Sequence, residues 1–315
     1  MVEESRQVEN QTIAIAGTAG VDMTLRQPPL DEIGLIRSDN YTPDMIRALD
    51  HPPELGLGGN GAAAAYILGM LGWQVQLNSP VGQDAAGNMV REWLREANVE
   101  SIAPKSNATM FSIVPVDSDA KRLGVLHFAS PKVDWNFSAQ ATTASWFLLA
   151  GHSKVETGEL DEVQQALKLF RSRGGITVLD SGIGWMQTNP ADQMATVWSH
   201  VDLLIGTMDE LMFWTGADAT KQVAQRAQQL GARRVVVKMG ADGAALLDEN
   251  GQFEHQPAKR VTRSDVSIGA GDAFNGALVA QLMAGHELNT AVDFAQTVAA
   301  KVVTTGNGVI GWTPS

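Results

Sequence analysis

The stretch SDVSIGAGDAFNGAL, residues 264 to 278, sets glycines directly in front of a helical pattern. Phe274, Leu278 and Leu282 recur at four-residue spacing and mark the core-facing stripe of that helix. Gly269, Ala270 and Gly271 offer backbone amides where it begins, and such a terminus attracts anions through its N–H groups and partial positive charge. Asp272 then places a carboxylate among those amides. As structure alone this is unremarkable, because an acid in the first turn gains a few tenths to about 1 kcal/mol. As chemistry it matches what phosphoryl transfer to an alcohol requires: amides that hold developing negative charge and a carboxylate that accepts the hydroxyl proton. The helix terminus keeps that carboxylate ionised at neutral pH.

Outward from this stretch, strand-like and helix-like runs alternate. TIAIAG (12–17), QVQLNS (74–79), SWFLLAG (145–151), GITVLD (175–180), DLLIGT (202–207) and RRVVVKMG (233–240) are short and apolar or β-branched. Strands buried on both faces of a parallel sheet read this way. Between them, Met89, Val90, Trp93, Leu94 and Ala97 form one amphipathic stripe, and Val163, Ala166, Leu167 and Phe170 another. The alternation predicts an α/β fold, a mostly parallel sheet with helices on both faces. One segment breaks it. TMFSIVPVDSDAKRLGVLHF (109–128) has two strand-like arms around a polar turn and no helix, which predicts a projecting hairpin able to cover a site. Residues 22–34 are expected to pair with it. The whole chain, 1–315, then reads as one domain whose small β lid comes from about 22–34 and 105–128.

Ligands of open α/β sheets bind at the carboxyl ends of the strands, where strand order reverses. Asp22, Gly151, Asp180, Thr207, Gly240 and the opening stretch all follow candidate strands and are expected on one rim.

Composition narrows the function. The 315 residues carry a formal net charge of −12, which argues against nucleic-acid or anionic-membrane partners and favours a small-molecule ligand. Cysteine is absent, excluding disulfides and thiolate metal sites. The polar, acidic start MVEESRQVEN does not read as a signal peptide, and no apolar run nears the roughly 20 residues of a membrane helix. A cytoplasmic protein is expected.

Two phosphate motifs need separating from the opening stretch. There is no G-x-x-x-x-G-K-[ST], so a P-loop is excluded. GLGGNG (56–61) fits G-x-G-x-x-G, but the preceding ALDHPPEL contains prolines that forbid a central strand. Nicotinamide binding is therefore disfavoured, leaving close packing of a glycine-rich helix start or a backbone surface for a small polar ligand.

DVSIGAGDAF resembles the D-T-x-G-A-G-D-x-F signature of the ribokinase-like (PfkB) carbohydrate kinases. GGNGAAAAYILGMLG (58–72), VGQDAAGNMVREWLREANV (81–99), DLLIGTMDELMFWTG (202–216), VVVKMGADGAALL (235–247) and FAQTVAAKVVTTGNG (294–308) resemble further segments of that family, in its order. The resemblance implies a three-layer α/β/α core with a β lid and transfer of the γ-phosphoryl group of ATP to an alcohol. It implies Asp272 as catalytic base and Gly269, Ala270 and Gly271 as the anion hole. Asp22, Gly58, Gly59 and Asn60, with Asp272, correspond to the acceptor site. Thr207, Lys238, Gly240, Gly243, Gly271 and Gln296 correspond to the ATP side. Glu210 corresponds to the glutamate acting through the hydration shell of Mg²⁺. Asp265, with Ser267, corresponds to a monovalent-cation site suited to K⁺. A homodimer is compatible with the family pattern.

This chain departs from the pattern where substrate is met. Gly20 and Ala63 stand where a ribokinase carries asparagines. The N-x-x-E motif begins with Thr207, and Asp180 is followed by Ser181, Gly182, Ile183 and Gly184 without asparagine or arginine. The substrate side loses donors, which leaves the exact acceptor open: a small carbohydrate-like alcohol is expected, with a nucleoside or other non-sugar alcohol as the alternative. A ligand sensor without turnover and a nicotinamide oxidoreductase are the remaining alternatives.

Overall fold

The structure is a computed structural model and describes residues 11–28, 50–103, 106–119, 121–128, 131–136, 143–151, 159–186, 190–261 and 268–314. In chain order the strands begin β1 (Thr12–Ala16), β2 (Gly20–Arg26), β3 (Glu54–Gly58), β4 (Gln74–Asn78), β5 (Val99–Ser101), β6 (Met110–Val116) and β7 (Leu126–Phe128). They continue β8 (Trp146–Ala150), β9 (Ile176–Asp180), β10 (Leu203–Thr207), β11 (Arg234–Lys238), β12 (Ala244–Leu247) and β13 (Phe253–Gln256). The helices are α1 (Asn60–Met70), α2 (Ala85–Glu96), α3 (Glu159–Ser172), α4 (Gly182–Met186), α5 (Ala191–Trp198), α6 (Met208–Thr215), α7 (Thr220–Gln229), α8 (Ala270–Met283) and α9 (Leu288–Thr305).

All six predicted strands lie in one nine-stranded sheet of order β13-β12-β11-β10-β9-β8-β1-β4-β5. Pairing is parallel from β5 across to β11. β12 and β13 close the other edge antiparallel. Strand order reverses at β1, whose neighbours are β4 and β8, so the crevice opens beyond the carboxyl ends of β1 and β8.

Continuous apolar strands are explained by two covered faces. Ile13 and Ile15 enter one cluster and Ala14 and Ala16 the other; Trp146 and Leu148 separate from Phe147 and Leu149 in the same way. The first cluster is completed by α1, α2, α8 and α9, the second by α3, α5, α6 and α7. The predicted stripes face these clusters through Val90 and Leu94 on α2 and through Val163, Ala166, Leu167 and Phe170 on α3. At about 1.5–3 kcal/mol per fully buried large apolar side chain, the sheet and its two helix layers hold one another in place.

A second sheet of order β3-β2-β6-β7 stands apart. β2 pairs in parallel with β6, and β3 and β7 flank them antiparallel. The arms of the predicted hairpin are β6 and β7. Its turn is held by Asp117, whose Oδ1 accepts from the amides of Asp119 and Lys121 at 2.9 Å each. β2 takes up the start of segment 22–34, of which residues 29–34 lie outside the described residues, as does residue 105. β3 runs through Gly56 and Gly58 of GLGGNG rather than leading into them, so among the described residues no central strand directly precedes these glycines, as the prolines of ALDHPPEL imply. It is the edge strand of the small sheet, where Pro52 and Pro53 before it cost no ladder bonds. The even-numbered face of β6 turns inward: Val114 and Val116 pack against Ile268, one residue before Gly269. Among the described residues no helix is long and apolar enough to cross a membrane.

Candidate active site

Lys238 ends β11 and points along the rim toward Asp180, which ends β9. Its ammonium donates to Asp180 Oδ1 at 3.3 Å and Oδ2 at 3.5 Å, and to Asn275 Oδ1 at 3.2 Å. Asn275 closes the triangle by donating Nδ2 to Asp180 Oδ2 at 2.6 Å. Only 13% of the Lys238 side chain and 7% of that of Asp180 are exposed. Burial works against the charge on Lys238, but the fields of Asp180, Glu210 and Asp272 and the Asp180 hydrogen bond outweigh it. The ammonium is therefore held above the ordinary lysine value and stays charged.

The predicted helix begins where expected. Gly269 caps α8 in the left-handed region at φ 77, and the amide of Ala273 donates to the Gly269 carbonyl at 2.8 Å. The preceding amides of the first turn point out of the helix end without intrahelical acceptors. Asp272 sits in that turn, partly buried. A Cβ added to Gly271 would lie 3.9 Å from Lys238 Nζ, so the lysine meets the mouth of the helix terminus. Asn275, one turn further along α8, ties this terminus to the rim. The sequence reading missed Asn275; its position inside the signature, three residues after Asp272, was the available signal.

Glu210 lies in the first turn of α6 in a capping box. Its Oε2 accepts from the Thr207 amide at 2.8 Å, and Thr207 Oγ1 accepts from the Glu210 amide at 3.4 Å. Among the described residues Oε1 has no hydrogen-bond partner. One oxygen thus secures the helix and the other is left for the rim. That arrangement fits a metal held through its waters, as Mg²⁺ commonly is. Among the described residues no group of three His, Asp or Glu side chains is placed to cage an ion directly.

On the small-sheet side, Asp22 and Gly58 come together. A Cβ on Gly58 would lie 2.5 Å from Asp22 Cγ, so only glycine lets the carboxylate rest there. Gly59 is strained for any other residue, at φ 85 with its absent Cβ against the Thr18 carbonyl. Asn60 is 4% exposed, and its Oδ1 is taken by Thr18 Oγ1 at 2.9 Å and by the Gly61 amide at 2.9 Å. Among the described residues its Nδ2 has no partner. Its carbonyl therefore orders the loop, leaving the amide nitrogen for a ligand.

Gly240 and Gly243 form the turn between β11 and β12. Gly243, at φ 95, leaves no room for a Cβ beside the backbone of Gln256, Pro257 and Ala258. Gln296 on α9 is 6% exposed; it donates Nε2 to Gln256 Oε1 at 3.4 Å, and among the described residues its Oε1 has no partner. Gly243 and Gln296 thus converge on Gln256, apart from the Asp22 side. Asp265 and Ser267 lie outside the described residues.

A buried cation at a helix terminus, on the rim of a doubly covered parallel sheet, defines an anion-handling α/β enzyme site. The family follows from comparison with known proteins. The pfkB family carbohydrate kinase model matches residues 37–314, and the chain belongs to that family. It is a kinase, a phosphotransferase with an alcohol group as acceptor, which sets aside the nicotinamide reading of GLGGNG. Aminoimidazole riboside kinase of Salmonella typhimurium is 25% identical over 70% of this chain and 72% of its own length. 5-Dehydro-2-deoxygluconokinase of Clostridium perfringens is 23% identical over 78% of both. The fold is ribokinase-like: Arabidopsis thaliana ribokinase, solved with ribose and ATP, matches with a TM-score of 0.75 at 19% identity over 96% of this chain and 95% of its own. A ribokinase II from E. coli, solved with ATP and Mg²⁺, matches with a TM-score of 0.74 at 20% identity over 96% of both chains.

Proposed function

We propose that this protein is an ATP-dependent kinase of a small hydroxylated acceptor, a carbohydrate or a nucleoside, with Asp272 as general base. The observation that carries the reading is the joining of the α8 terminus to Lys238: anion-binding amides, a fixed ammonium and a carboxylate share one mouth. In this reading Asp272 accepts the proton of the acceptor hydroxyl while that oxygen bonds to the γ-phosphorus. The bond to the bridging oxygen breaks and ADP leaves. The amides of Gly269, Ala270 and Gly271, with Lys238, hold the charge on the transferring group. Gly240, Gly243 and Gln296 take the nucleotide end, and Asp22, Gly58, Gly59 and Asn60 the acceptor. Mg²⁺, when bound near Glu210, supplies counter-charge to the phosphates.

The small sheet acts as a lid on one domain, excluding water when acceptor is present. Its outer row Leu55–Met23–Ile113–Leu126, with Leu55 40% and Leu126 59% exposed, supports a homodimer, testable by light scattering. The cytoplasm, where ATP is available, suits the activity, and Asp265 and Ser267 are assigned to K⁺. An ADP-release screen over sugars, sugar acids and ribosides, with and without K⁺, tests the whole reading. In Asp272→Asn, kcat is expected to fall about 10²–10⁴-fold with folding unchanged. Wild-type turnover in that variant would remove Asp272 as the base.

A further inference from the structure

Asp22 does not stand alone on the inner face of the small sheet. The strand register aligns Gly56 of β3, Asp22 of β2, Ser112 of β6 and His127 of β7 in one row. Registered neighbours project from the same face, and Ser112 Oγ lies 3.0 Å from His127 Nδ1. This face looks into the molecule: Ser112 is 1% exposed, and two and four residues along the same strand Val114 and Val116 touch Ile268, beside the α8 terminus. His127 is exposed at the open end of the row. With Nδ1 engaged by the serine, Nε2 is left without a protein partner among the described residues. It donates if Ser112 gives its proton to Nδ1, and accepts if Nδ1 carries the proton.

Strands of a sheet lie about 4.8 Å apart, so Asp22 and His127, two strands apart, are separated by about 10 Å backbone to backbone. A ligand that meets both therefore extends along the row from Asp22 past Ser112 toward His127. We infer that His127, oriented by Ser112, is a specificity-determining residue that takes the end of the acceptor distal to the hydroxyls held by Asp22. The acceptor is then a hydroxylated sugar carrying a second polar group, such as the base of a riboside or the carboxylate of a sugar acid. The lid row thereby supplies hydrogen bonds of the kind lost at Gly20, Ala63 and Gly182. This inference rests on the kinase reading and on Asp22 as an acceptor ligand.

The test compares wild type, His127→Ala, His127→Gln, Ser112→Ala and Asp22→Asn against D-ribose, inosine, 5-aminoimidazole riboside and 2-keto-3-deoxygluconate. ADP release and calorimetric binding are both read, with thermal melts as the folding control. Wild type is expected to prefer one of the extended acceptors to ribose by at least about tenfold in kcat/KM. His127→Ala is expected to abolish that preference through the acceptor KM, leaving the KM for ATP and the constants for ribose unchanged. Ser112→Ala should do so partly, and His127→Gln should retain part of it. A riboside preference assigns the distal group as a base, a sugar-acid preference as a carboxylate. An unchanged preference in His127→Ala, with Asp22→Asn impaired, overturns the role of His127 and leaves the kinase reading standing. If no acceptor releases ADP, the kinase reading fails; calorimetry on the same panel then decides the lid row, and equal affinities in wild type and His127→Ala, or no binding at all, overturn it.

Discussion

Replacing Lys238 by methionine removes a cation that Asp180, Glu210 and Asp272 share. Asp180 remains 5% exposed with Asn275 Nδ2 as a hydrogen-bond donor, and the fields of Glu210 and Asp272 lose their common counter-charge. Breaking a buried pair from one side costs about 3–5 kcal/mol, because a charge is left uncompensated. The surviving Asn275 bond and the 13% exposure of the lysine side chain place the expected loss at the lower end, about 3 kcal/mol. At about 2.1 cal/mol/K of unfolding entropy per residue, that lowers Tm by about 4–5 °C for a chain of this length. Asp180→Asn alone is milder, since the ammonium keeps Asn275 Oδ1 and two neighbouring acids; about 1–2 kcal/mol is expected. Combining Asp180→Asn with Lys238→Met should recover at least about 1 kcal/mol relative to Lys238→Met, because the stranded carboxylate is gone. The sign in pH follows from the raised lysine pKa. The contribution is fully present below the unfolded value of 10.5 and is lost only as pH rises through the higher folded value, so the coupling should be flat from pH 6 to 9. Melts of the four proteins across that range read it directly. Penalties that simply add in the double variant would refute the coupled triangle.

Asp84 gives the opposite sign. Burial alone would raise its pKa, but the Thr109 hydroxyl and the amides of Gly87 and Thr109 donate to it and hold it below 3.8. Asp84→Asn should cost about 1 kcal/mol from pH 5 to 8, and the difference from wild type should shrink as pH falls below 3.8, checked by urea titration. Gly58→Ala drives a methyl against the Asp22 carboxylate, so the acceptor KM is expected to rise at least about tenfold with the KM for ATP unchanged; an unmoved acceptor KM would detach Asp22 from substrate. Glu210→Ala removes half of the capping box, costing about 1 kcal/mol in melts, and should raise the Mg²⁺ concentration needed for half-maximal rate.

Much of the layout is legible in the sequence. TIAIA reads as a doubly buried strand because both its faces meet helices, and Asp272 reads as a first-turn acid because glycines precede a helical stripe. The elements that escaped lie at or next to sheet edges. β5, β12 and β13 are short, and β3 follows two prolines; each pairs with partners that local periodicity does not name. The family resemblance implies Asn60 and Glu210 as ligand groups, yet each spends one oxygen on the local backbone. Which oxygen is so engaged depends on a rotamer and a neighbour, neither of which spacing encodes.

By itself, the sequence determined the layered α/β class, the helix terminus with its acid, and the family signature, because helix period, strand period and glycine placement are local properties. Only the tertiary structure decided that Lys238, Asp180 and Asn275 form one buried triangle, and that Asp22, Ser112 and His127 share one row. Those residues lie up to 105 positions apart in the chain. What joins them is strand order and register, set by packing across the whole sheet rather than by any residue's neighbours in sequence.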